Sequence, residues 1–149
     1  YQVGSDRISN AIGITDNKFN YIVVDFGTAT TFDVIIKNNY LGGIIAPGIK
    51  LSLNTLIKQA SLIPPVNLTS VRGILGKNTI SAVRFGFYWG YIGLIKNIIK
   101  KITKQTKKKY KIIFTGGLSN LFRKSIDSKV YIKKDLTIIG LLKVVSLVK

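Results

Sequence analysis

The chain has 149 residues, of which 46% are hydrophobic, enough to bury a core within one domain or part of a two-domain protein. It has no cysteine and no histidine, and its six acidic residues are all Asp. Disulfides, thiolate metal sites, Ser-His-Asp and Cys-His nucleophiles and imidazole bases are therefore excluded, so a proton acceptor must be Asp, Lys, Tyr or bound water. The formal charge of +17 would suit a polyphosphate partner through counterion release. The excess is nearly all Lys among many Ile and Asn, the mixture that A- and T-rich codons produce, so nucleic acid is not the expected partner.

Taken in chain order, Tyr1-Gln2-Val3 reads as the middle of a strand and lacks an initiator Met, which gives the start a truncated look. GSDR at 4–7 reads as a turn, and Ile8, Ala11 and Ile12 suit a short helix. YIVVDFGTATTFDVIIK at 21–37 holds two β-rich runs around a glycine turn, and Asn38-Asn39 starts another turn into YLGGIIAPG. Apolar residues at 49, 51, 53, 56, 57 and 60 predict a helix that ends before Pro64 and Pro65. Residues 64–78 are a loop. A long helix follows, with Ile80, Val83, Phe87, Tyr91, Leu94, Ile98 and Ile102 on the 3.6-residue period. YKIIFTGG at 110–117 is a buried-type strand entering a glycine pair, followed by a short helix to about Lys124. A brief strand, a polar turn and a closing helix complete the chain.

This order predicts an α/β sheet with an antiparallel opening and parallel strands after it. The apolar run FGFYWGYIGLI at 85–95 is about half the ~20 residues of a membrane-spanning helix, and no basic-then-apolar leader opens the chain. A soluble, cytoplasmic protein with no membrane partner is expected. The lysine-rich KKITKQTKKKYK at 100–111 closes a helical pattern, where cations favour the helix C-terminus.

Several stretches could carry chemistry. DFGTATTFD at 25–33 places a carboxylate, a glycine and threonines at a strand end, a cradle for a cation and phosphate or simply a hairpin with good turn geometry. Asp33 lies on the returning strand and reads as structural. LGGIIAPG at 41–48 allows close approach of a ligand or of another backbone, and packing is the simpler account. GKNT at 76–79 offers Asn78 or Thr79 as a helix cap without the spacing of a Walker loop. Gly116 and Gly117 suit a turn beneath a nucleotide. Gly86, Gly90 and Gly93 line one side of the long helix, where close packing inside the domain or across a dimer explains them.

In this order and at these intervals, GSDR, VVDFGTATTFDV, YLGGIIAPGIKLSL, GKNT and TGGLS resemble the type III pantothenate kinases over almost the whole chain. The resemblance implies a ribonuclease H-like domain of the acetate and sugar kinase, heat-shock 70 and actin superfamily, a mixed sheet with flanking helices. Residues 1–14 would be the tail of a preceding domain carrying the GSDR substrate turn, and residues 15–149 the C-terminal ribonuclease H-like domain. The implied activity is ATP-dependent phosphorylation of pantothenate to 4'-phosphopantothenate, the first step toward coenzyme A.

By motif match, Gly4, Ser5, Asp6, Arg7 and Thr79 would bind pantothenate, with Asp6 as proton acceptor. Arg7 would keep Asp6 ionised or bind the substrate carboxylate. Thr28, Gly116 and Gly117 would bind ATP, and Asp25 would hold a potassium or ammonium ion, with Mg2+ accompanying ATP. A homodimer is implied. The family's Asp-x-Gly-Asn-Thr phosphate loop has no match here, and Ser5 replaces a more usual Ala. The chain thus resembles the C-terminal half of a kinase, inactive unless the other half is supplied. The alternative is a non-catalytic relative acting as a transcriptional accessory factor.

Overall fold

The structure is a computed structural model that describes residues 3–147. Tyr1 and Gln2, and with them most of the expected opening strand, lie outside the described residues, and Val3 belongs to no strand. The elements are α1 (Ser5–Ile14), β1 (Asn20–Phe26), β2 (Ala29–Ile36), β3 (Asn39–Pro47), α2 (Ile49–Gln59), α3 (Thr79–Thr106), β4 (Lys111–Gly116), α4 (Ser119–Arg123), β5 (Val130–Ile132) and α5 (Leu136–Leu147). The sheet order is β3-β2-β1-β4-β5. β1 pairs antiparallel with β2 and β2 antiparallel with β3, while β4 runs parallel to both β1 and β5. The mixed sheet expected from the sequence is therefore the one observed.

β1 occupies the centre because both of its faces are apolar, as a strand covered by helices on two sides requires. Ile22, Val24 and Phe26 point to one face and join Phe32, Val34, Ile112 and Phe114 from neighbouring strands beneath Tyr88, Ile92 and Ile95 of α3. Each such side chain contributes roughly 1.5–3 kcal/mol when fully buried. Phe26 meets Phe114 edge-on at 5.0 Å and stacks on Phe122 of α4 at 5.4 Å. Tyr21 and Val23 point the other way, into a smaller core with Ile35, Ile113, Ala11, Ile14 and Leu136, which α1 and α5 cover.

GSDR is not a free turn. Gly4 is the N-cap of α1, and Ser5, Asp6 and Arg7 form its first turn, where the acidic Asp6 suits the positive helix end. α3 begins at Asn78, whose side chain accepts from the Ser81 amide at 2.9 Å while Ser81 Oγ accepts from the Asn78 amide at 3.2 Å. It ends at Lys107, in the left-handed region at φ 54°.

α1 and α5 cross at two glycines. A Cβ at Gly140 would run into the carbonyl of Ser9, and one at Gly13 would sit 2.8 Å from the carbonyl of Leu136. Lys143 of α5 donates to the carbonyls of Ile12 and Gly13 at 3.2 and 3.0 Å, closing the C-terminal end of α1. Gly140→Ala should lower unfolding stability by about 2 kcal/mol, the scale of overpacking. Gly117→Ala, where a Cβ meets nothing within 4 Å, should stay within about 0.5 kcal/mol, and urea titration compares the two.

Candidate active site

The pleat of β1 places Asp25 on the same face as Tyr21 and Val23, so the face that α1 covers changes from apolar to polar toward the strand's end. In the register of the sheet, Asp25 lies between Thr31 of β2 and Thr115 of β4. Asp33 lies one step back along β2, opposite Val23. Thr31, Thr115 and Asp33 are all buried. Thr115 Oγ1 donates to the Lys134 carbonyl at 3.3 Å.

α1 lies over this polar row with three side chains turned toward it. Asn10, which is 1% exposed, donates its amide to Asp25 Oδ2 at 2.8 Å and accepts from the Thr137 hydroxyl of α5 at 2.8 Å. Asp6 stands one turn earlier, exposed, and helps line the cavity above Asp25. Arg7 turns to the other carboxylate of the row, Asp33. Its Nε donates to Asp33 Oδ1 at 2.8 Å and its Nη2 donates to the Tyr40 hydroxyl, also at 2.8 Å. Tyr40 in turn donates to Asp33 Oδ1 at 2.8 Å. The ion pair that Arg7 makes is with Asp33, so its charge is already matched by a buried carboxylate.

The cavity above Asp25 measures about 610 Å³, and Asp6, Asp25, Thr28 and Thr31 supply its polar side chains, with Gly27 and Gly48 beside them. Gly27 and Thr28 form the two-residue link between β1 and β2. Gly48 backs so closely onto the Thr28 carbonyl that a Cβ there would collide with it. Gly48 is also the N-cap of α2 and supplies no side-chain cap, as Gly4 supplies none to α1. α2 thus begins at the cavity wall with no side chain on its first amides, a polarity that suits negative charge. By contrast α3, whose start lies away from this cavity, is capped by its own side chains.

The expected site residues divide accordingly. Asp6, Asp25 and Thr28 share one cavity. Gly116, at φ +84°, presses against Asp25, since a Cβ there would lie 2.8 Å from Asp25 Oδ1. Gly117 is exposed beside open space. Gly4 is tucked under Asp6, with its Cβ position 2.6 Å from the Asp6 Oδ1, and the Ser5 carbonyl accepts from Ser9 Oγ at 2.8 Å within α1. Arg7 lines a separate hollow with Tyr40, Leu41, Gly42 and Gly43. Thr79, in the first turn of α3, is exposed and outside the Asp25 cavity.

Thr31 belongs to the threonine cradle expected at 25–33, whereas Asn10, Tyr40 and Thr137 were not anticipated, since nothing local announces partners as distant in sequence as Asn10 and Thr137.

Burial pushes the Asp25 carboxyl above its ordinary range; the Asn10 hydrogen bond opposes this and the nearby Asp6 charge adds to it. Asp33 is likewise raised by burial, against the hydrogen bond from Tyr40 and the charge of Arg7. Burial and the Asp33 carboxylate push the Tyr40 hydroxyl up to about 12. No group of three or more His, Cys, Asp or Glu gathers among the described residues. The cavity's donors are carboxylate, hydroxyl and carbonyl oxygens, a hard set that fits potassium or magnesium and not zinc or copper.

The fold, a mixed sheet of this order with flanking helices, is shared with solved structures of otherwise dissimilar sequence. One, a 2-dehydro-3-deoxygalactonokinase protein from Sinorhizobium meliloti, superposes with a TM-score of 0.69 at 11% identity, covering 96% of this chain and 58% of that one. The model of the type III pantothenate kinase family matches residues 1–101, and the chain belongs to this family. A type III pantothenate kinase from Pelagibacter ubique is 60% identical over 99% of this chain, covering 60% of that protein. A Campylobacter jejuni structure described as a Baf family transcriptional activator superposes with a TM-score of 0.72 at 28% identity, covering 99% of this chain and 66% of that one. The chain thus spans about 60% of the length of the Pelagibacter relative.

Arg7→Ala would leave Asp33 buried without its cation, and one of its oxygens, Oδ2, already has no partner. The expected loss is about 3 kcal/mol of stability by urea unfolding. Adding Asp33→Asn should recover much of it, whereas an unchanged midpoint in Arg7→Ala would remove the ion pair from the account of α1.

Proposed function

We propose that this chain supplies the C-terminal half of a type III pantothenate kinase, which phosphorylates pantothenate to 4'-phosphopantothenate at the expense of ATP. The observation that carries the reading is the convergence of Asp6, Asp25 and Thr28, from two separate motifs, on one cavity at the end of β1. Phosphoryl transfer requires alignment and charge neutralisation more than covalent participation, which suits a chain without His or Cys. Asp6 orients the pantothenate hydroxyl and accepts its proton, its carboxylate standing open to the cavity. Thr28 and the backbone of its turn hold ATP phosphate oxygens.

Asp25 has Oδ2 engaged by Asn10, so Oδ1 is the atom that would hold a potassium or ammonium ion, while Mg2+ would enter with ATP. These cations would neutralise phosphate charge and offset the repulsion between Asp6 and Asp25. By motif match, Gly4, Ser5, Arg7 and Thr79 would complete the pantothenate side from outside the Asp25 cavity, and Gly116 and Gly117 the nucleotide side. Residues 1–14 would then bring the substrate turn to the domain formed by 15–149. The reaction is placed in the cytoplasm, where its ATP is; no helix among the described residues is long and apolar enough to cross a membrane.

The test is reconstitution. The chain alone should give no pantothenate-dependent ADP, and joining it to a segment bearing the Asp-x-Gly-Asn-Thr phosphate loop should give turnover. In the joined protein Asp6→Asn should lower kcat about 100-fold, within the range of general acid–base groups. An unchanged rate would reduce Asp6 to a helix-end charge. The likeness to the Campylobacter jejuni structure supports a second reading, a non-catalytic transcriptional accessory role. Loss of the phosphate loop from the parent reading frame would favour it.

The homodimer is proposed on α3, where a Cβ at Gly86, Gly90 or Gly93 meets nothing within 4 Å. Gly86 and Gly90 open on an apolar groove with Val83, Phe87, Leu94 and Leu56. Gly90→Leu should convert a dimer to a monomer in sedimentation equilibrium, and an unaltered mass would refute this placement.

A further inference from the structure

We infer that Asn10 is a positioning residue for the Asp25 site, and that Thr137, which touches none of the cavity, orients it. The inference rests on the phosphate-cavity reading for its significance, and on the geometry of α1 and α5 for its argument.

A carboxylate at the end of a strand can turn about its last torsion, and Asp25 has two oxygens to offer. Asn10 takes one of them. With Oδ2 engaged at 2.8 Å, only Oδ1, the oxygen that lies against the Gly116 turn, is left without that amide donor. Asn10 can do this only if its amide nitrogen, and not its oxygen, faces Asp25. An ionised carboxylate accepts and cannot donate, so the amide oxygen must find a donor on its far side. Thr137 is that donor, at 2.8 Å. Asn10 is buried, and losing this partner would strand a polar atom in the core.

The relay also explains two glycines that lie outside the Asp25 cavity. Gly13 and Gly140 let α1 and α5 approach closely enough for a Thr side chain on one helix to reach an Asn side chain on the other. The Asp25 site is thus set from behind, by a contact between residues 127 positions apart.

The experiment follows the Asn10 side-chain amide by nitrogen-15 NMR in the 149-residue chain. In the wild type its protons should exchange with water at least about tenfold more slowly than those of the exposed Asn38 and Asn54, the factor expected for a hydrogen bond to a charged group. Asp25→Asn should move the resonance, and the shape-preserving Thr137→Val should move it and speed its exchange about tenfold, with backbone protection elsewhere unchanged.

A second readout replaces choline chloride with potassium chloride at constant ionic strength. Potassium should perturb the Asn10 amide in the wild type, and Thr137→Val should need roughly tenfold more of it. If Thr137→Val leaves both the resonance and its exchange unaltered, the proposal is overturned. If both variants act as expected and potassium does nothing, the positioning role stands and the cation leaves the proposed function. Should Asn10→Ala fail to fold, Thr137→Val decides the matter, since it removes one hydroxyl and no volume of consequence.

Discussion

The pleat of β1 is the constraint on which the rest of this molecule depends. Successive side chains of a strand alternate between faces, so one seven-residue segment must satisfy two cores at once. Ile22, Val24 and Phe26 do so for the α3 side without interruption. Tyr21 and Val23 do so for the α1 side, and the next residue in that series is Asp25. A carboxylate there is tolerable only because the strand ends, the hairpin turns away, and a helix arrives carrying a donor. Burial raises the cost of its charge, while Asn10 lowers it. The same reasoning covers Asp33, whose charge is matched by Arg7 and Tyr40 on the neighbouring strand.

α1 is therefore tied to the sheet by two polar attachments that lead to different places. Arg7 fastens the first turn to β2 and, through Tyr40, to β3. Asn10 fastens the second turn to β1 and α5. Between them they fix the segment from which Asp6 projects, without either bond touching Asp6. A site residue that is exposed can still be well placed when the backbone beneath it has so little freedom.

Much of this could be read in the sequence, because the signals are local. Glycine turns between β-branched runs marked β1 to β3, and the long apolar period marked α3. The motif order carried the family, and the convergence of Asp6 and Asp25 followed from it. Other features are not local. Arg7 beside Asp6 invited a pairing that the structure gives instead to Asp33, because residue 7 points to a different side of α1 from residue 6. GSDR looked like a turn since glycine and serine often make one, yet Gly4 is a helix N-cap and the next three residues are helical. The double glycine at 116–117 suggested one role for both, whereas only Gly116 has a positive φ and a crowded Cβ position. The surplus of lysine finds little acid to meet: among the described residues the salt bridges are Arg7–Asp33 and the exposed Lys96–Asp127 at 2.8 Å. Most of the charge is thus solvated, which says more about solubility than about a partner.

The α1–α5 crossing bears on how the molecule is made. During vectorial synthesis β1 to β3 can pair as soon as they emerge, since their contacts are short-range, whereas a contact spanning most of the chain must wait. Until α5 leaves the ribosome, Asn10 has no Thr137 and the second core has no Leu136, so a nascent chain carries its Asp25 turn with an unsupported back wall. Termination between β5 and α5 would yield a chain with a paired sheet and an unset site.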